Sequence, residues 1–222
     1  MVTERLLGFD ARQISSNLNL WDRQRRQTFL LDTGVERPLS VDPIIWPSVF
    51  DTGQGIGLPA AERQRLGLAG IETPSWIGPN AGLWESLTAM REFLGANRLQ
   101  VLPYAIVAVS WFSDRDFAEA GGVGPYLSGT SPAANSPDWR LLGLDVADGS
   151  LVSGLANCGY SEVELRELRP QWKTRLNAGH LLNDVVDAFR FRDLANKRVP
   201  EHAPFFVYGL YLVEEVRQLN RT

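Results

Sequence analysis

A cysteine thiol becomes a useful nucleophile only when a neighbouring base takes its proton, and this chain offers one thiol, Cys158, with His180 and His202 as the available bases. The thiol stands in Asn157-Cys158-Gly159-Tyr160, between a strand region and a helix start, where helical N–H groups favour the thiolate. The competing reading is a small core residue. Metal ligation asks for more than these histidines supply. His180 and Asp184, at (i, i+4), share one helical face, and Glu201 beside His202 adds a loop ligand, but two ligands do not make a site. Helix capping and locally satisfied side chains account for the same residues. Without a second cysteine there is no internal disulfide and no thiolate cluster for zinc, so no metal and no cofactor is expected.

Carboxylate chemistry has a candidate in two Asp-Thr-Gly triplets, Asp32-Thr33-Gly34 after Phe29-Leu30-Leu31, and Asp51-Thr52-Gly53 after Val49-Phe50. Each resembles the turn of aspartic proteases, where two such carboxylates share a proton because both cannot ionise side by side. In two-lobed members of that family each triplet has a lobe of its own, and the interval from position 32 to position 51 cannot hold one. A retropepsin-like dimer with one active triplet would need a downstream strand ending in a Gly-Arg-Asp/Asn sequence, which is missing. The triplets then read as turns closing strands. Gly53-x-Gly55-x-Gly57 lacks both the dinucleotide spacing and the Lys-Ser/Thr of a phosphate loop. Ser153-Gly154 lacks the glycine two residues ahead of the serine that a nucleophile elbow requires.

The elements that would position these groups follow from hydrophobic periodicity. Leu83, Leu87, Met90 and Leu94 form an apolar stripe that predicts a helix over 81–96 with Asn80 as N-cap. Val101 to Phe112 is apolar almost throughout and reads as a strand buried on both faces, the centre of a sheet. Arg140 to Val146 and Phe205 to Val213 read as further strands. Ser161-Glu162-Val163-Glu164 has capping-box form and starts a helix that Pro170 should limit. A helix over 179–197 places Leu181, Leu182, Val185, Ala188 and Phe189 inward, with an Asp193–Lys197 pair outside. Residues 34–80 are loop-rich, apart from a short helix around Ala60–Leu66, and residues 139–213 make the C-terminal core. Helices and strands mix without regular alternation, which predicts one α+β domain over 1–222, a mixed or antiparallel central sheet with a few packed helices.

Composition narrows the partners. Apolar residues at 44% and charged residues at 22% are ordinary for a globular chain. The net charge of −4 supplies no basic field for nucleic acid. No stretch approaches the roughly 18 apolar residues of a membrane span, and the amino terminus lacks the apolar core of a secretion signal, so a cytoplasmic protein is expected. Seven tryptophans supply core and, in part, contact surface.

Arg5-Leu6-Leu7-Gly8-Phe9-Asp10 and Arg140-Leu141-Leu142-Gly143-Leu144-Asp145 differ at one position. Coincidence among common residues explains this, and so do two equivalent strands in one sheet. The segments Trp139–Asp148, Ser153–Tyr160 and Val199–Tyr211 together resemble small bacterial proteins similar to the immunity proteins that accompany polymorphic toxins. The resemblance covers the last third or so of the chain and implies a protein that blocks a cognate toxin by direct contact. An acidic surface suits a toxin with basic groups. On this reading Trp139, Asp145, Asp148, Tyr160, Glu162 and Glu164, around an irregular 145–164 segment, are the expected contact residues. The alternative is a hydrolase using Asp32 or the Cys158–His180 pair.

Overall fold

In a computed structural model of the chain, residues 2–13, 39, 41, 64, 83–96, 104–114, 138–149, 151–155 and 161–216 are described. They form a four-stranded antiparallel sheet in the order β1-β2-β4-β3, built from β1 (Thr3–Gln13), β2 (Tyr104–Ser113), β3 (Arg140–Asp148) and β4 (Phe205–Val216). Three α-helices accompany it: α1 (Leu87–Ala96), α2 (Glu162–Trp172), extended by a 3₁₀ turn at Lys173–Arg175, and α3 (Val185–Arg198). The α+β class and the antiparallel sheet are as the sequence predicts.

The interior strands are β2 and β4. β2 is buried along nearly its whole length, as its unbroken apolar run demands. Alternate side chains then divide into two layers. On one face Leu6, Phe9 and Ala11 of β1 with Ile106 and Ala108 of β2 pack under Met90 and Leu94 of α1. On the same face Leu144, Val146, Phe205 and Val207 pack under Ala188, Phe191 and Ala195 of α3 and Trp172 of α2. The second face carries Leu7, Val109, Trp111, Ala147, Phe206, Tyr208 and Leu210, covered by Val41, Leu83, Leu151 and Leu181.

The predicted helices start late. Helix α1 begins at Leu87 rather than 81, because Trp84 is extended and exchanges two backbone hydrogen bonds of 2.8 Å with Phe9 of β1. The first cap is Ser86, whose hydroxyl accepts from the Ala89 N–H. Asn80 lies outside the described residues. Helix α3 begins at Val185 rather than 179 for the same reason: Leu182 exchanges two 2.8 Å bonds with Leu144 of β3, and Asp184 caps the helix. Leu181 and Leu182 are buried as expected, but before the helix; Phe191 and Ala195 carry its buried stripe, while Phe189 lies half-buried with the Arg192 guanidinium 4.7 Å over its ring. Asp193 pairs with Arg192, its sequence neighbour. Pro170 lies inside α2, which runs on to Trp172.

The matching hexapeptides occupy the two edge strands at corresponding places. Gly8 and Gly143 have φ of 158° and 146°, and each marks a register shift against its neighbour. A Cβ at Gly8 would lie 2.6 Å from the Trp84 carbonyl oxygen, and one at Gly143 would lie 2.5 Å from Leu181 Cβ. Phe29–Leu31, the 60–66 helix apart from Gln64, and most of the loop-rich 34–80 lie outside the described residues.

Candidate functional site

Buried carboxylates seek hydrogen-bond donors, and the second face of the sheet shows where they find them. Asp10 and Asp145 both point to this face, because Phe9 and Ala11, and Leu144 and Val146, take the helical one. Asp145 is 0% exposed. Its Oδ1 accepts from the Ser153 hydroxyl at 2.7 Å and the Val146 N–H at 2.8 Å, and its Oδ2 accepts from the Val41 N–H at 2.8 Å. Arg12, 1% exposed, donates from Nε to Asp10 at 2.8 Å and from Nη2 to the Val41 carbonyl at 2.9 Å. The Val41 peptide therefore links the two edge strands across the sheet. Asp145, expected on a contact surface, is instead an internal strut.

Nearby, Asp148 ends β3. Its Oδ1 accepts from the Val152 N–H at 2.9 Å, its carbonyl accepts from the Tyr208 hydroxyl at 3.0 Å, and His202 Nδ1 is 3.9 Å from its Oδ2. Burial pushes the Tyr208 phenol well up, and the carboxylates of Asp148 and Asp145 push it further, so it stays protonated as a donor. Trp139 is half-buried and meets Phe9 edge-on at 5.5 Å between ring centres. It serves the core.

The start of α2 is different: it is ordered and outward-facing. Ser161 and Glu164 complete a capping box, with the Ser161 N–H donating to Glu164 at 2.9 Å and the Glu164 N–H donating to the Ser161 hydroxyl at 3.3 Å. Arg198, from the far end of α3, donates to the other carboxylate oxygen at 3.2 Å. The Ser161 hydroxyl and N–H hold the Glu164 carboxyl below the usual glutamate range, helped by Arg198. Glu162 is the first residue of the helix, and Val163 stands 62% exposed between the two glutamates. At the other end of α2, Trp172 packs edge-on against Phe191 at 4.9 Å and under Arg175 at 5.0 Å.

Of the nucleophile-and-base set, both histidines fall on turns: His202, whose N–H donates to the Val199 carbonyl at 3.1 Å, and His180. Its φ is 61°, in the left-handed region, and its N–H donates to the Asn177 carbonyl at 2.9 Å. Asn177 holds that turn, accepting from the Gly179 and Leu181 N–H groups and donating to the Leu142 carbonyl at 2.7 Å. Cys158, Tyr160, Asp32 and Asp51 lie outside the described residues. Among the described residues no group of three His, Cys, Asp or Glu is placed to hold a metal, and no helix is long and apolar enough to cross a membrane.

Sequence reasoning missed Arg12, Asp10, Ser153 and Val41. The one available signal was the hexapeptide match, which places Asp10 opposite Asp145. Compared with protein-family models, curated protein sequences and solved structures, the chain matches none.

Proposed function

We propose that this protein is a non-enzymatic inhibitor, an immunity protein that neutralises a cognate toxin by binding it. The supporting observation is the start of α2, where Val163 is exposed next to Glu164 on a helix end already fixed by its capping box and by Arg198. A preorganised apolar contact costs little to order on binding, and its acidic surround suits a partner with basic groups. The contact residues are Val163, Glu162, Glu164 and Glu167, together with Tyr160, and the protein acts in the cytoplasm without nucleic acid or cofactor.

The test is capture of the product of the adjacent gene by the full chain, with rescue of cells from that product. Val163→Arg and Glu167→Arg should each weaken capture about tenfold or more, as central contacts do, while leaving the melting temperature unchanged. Absence of both capture and rescue by the native chain overturns the reading. So does loss of rescue in Asp32→Ala or Cys158→Ala with capture intact, which would point to hydrolysis.

A further inference from the structure

The hexapeptide match extends through the fold. Phe9 and Leu144 each exchange two 2.8 Å backbone bonds with a residue two positions ahead of a helix cap, Trp84 before Ser86 and Leu182 before Asp184. The preceding residues, Leu83 and Leu181, both cover the second face of the sheet. Each helix then packs over its own strand pair, α1 on β1 and β2, α3 on β3 and β4.

The registers agree. Gly8 pairs with Val109 and Asp10 with Val107; Gly143 pairs with Leu210 and Asp145 with Tyr208. Val109 and Leu210 are thus equivalent, and they pair with each other at the seam between β2 and β4. On either side, Ala108–Tyr211 corresponds to Ser110–Gly209, and Val107–Leu212 to Trp111–Tyr208, as a two-fold axis through Val109–Leu210 requires. The departure is a register shift between Ile106 and Val107.

We infer that the chain is a tandem duplication of a strand–helix–strand unit, with β1-α1-β2 and β3-α3-β4 meeting along β2 and β4 as two subunits of a dimer meet, so that a second copy of the chain can supply either half. A two-fold interface is self-complementary, so each half presents the surface that its counterpart recognises. Outside the sheet the halves are tied by Arg192 of α3, which binds both oxygens of Asp114 at 2.9 Å.

The connection between halves makes this testable. Strands β2 and β3 run in the same direction with β4 between them, and Phe112 lies level with Val207 whereas Arg140 lies level with Leu212. Phe112 and Arg140 therefore stand five residues apart along the sheet and two strand spacings apart across it, about 20 Å in all. Deleting residues 115–137 leaves Asp114, Asp138 and Trp139 between Ser113, one residue further from Arg140 than Phe112, and Arg140 itself, four Cα steps that reach about 14 Å at most. The shortened chain cannot close on itself. It should elute folded, at twice its own mass or a larger multiple of it, with native circular dichroism. A folded species at the mass of one shortened chain overturns the inference. If the deletion is insoluble, a protease site placed within 115–137 of the full chain decides: the cut halves should stay together on sizing and reassociate after dilution from urea. Separation, or failure to reassociate, overturns it.

Discussion

A carboxylate that accepts hydrogen bonds only in the folded state makes stability depend on pH. Glu164 is such a group: the Ser161 hydroxyl and N–H hold its folded value below the ordinary one. The sign follows from proton binding. Above the ordinary glutamate value, about 4.3, both states are ionised and the contribution is present in full; it fades as pH falls through the depressed folded value. Melting temperatures of the native chain and Glu164→Ala should differ at pH 7 and converge as pH falls below the ordinary glutamate value, measured by circular dichroism. A difference that persists undiminished well below that value would assign the effect to the helix propensity of residue 164 instead.

At the level of elements, the Gly8 and Gly143 positions carry the two register shifts and the close approach of the extended pieces before α1 and α3. Gly143→Ala would drive a methyl group into Leu181 Cβ and Asn177 Nδ2, at 2.5 and 2.8 Å. Overpacking of this kind typically costs about 1–3 kcal/mol, and the positive φ adds to it. A fall in the urea midpoint with an unchanged slope is expected. Gly8→Ala should behave alike, since its clash is with the backbone at Trp84. These approaches also explain which parts of the fold were legible. The apolar runs of β2 and β4 and the capping box at Ser161 are local signals, and each led to the observed element. The late starts of α1 and α3 were hidden because Leu83 and Leu181 continue the helical spacing while their neighbours Trp84 and Leu182 are held extended by distant strands. The buried pair Asp10–Arg12 was illegible for a similar reason: its partner, the Val41 carbonyl, comes from a segment with no periodicity.

Across the whole molecule, the Val41 peptide joins opposite sides of the sheet through one donor and one acceptor. Asp145→Ala would leave the Val41 and Val146 N–H groups and the Ser153 hydroxyl without their acceptor. Loss of a buried charged acceptor shared by three donors should cost about 3 kcal/mol in urea unfolding. Asp145→Asn keeps one oxygen and should cost less; equal losses would mean that charge rather than acceptor geometry matters. The bridges at Phe9 and Leu144 carry another consequence. An outermost strand with open N–H and C=O groups is a template on which other chains stack into fibrils. Here both outermost strands spend backbone groups on their own chain, β1 on Trp84, and β3 on Leu182, Val152 and Gly154. Addition of a foreign strand at these places must first peel away the protein's own, so resistance to aggregation is built into the same contacts that set where the helices begin.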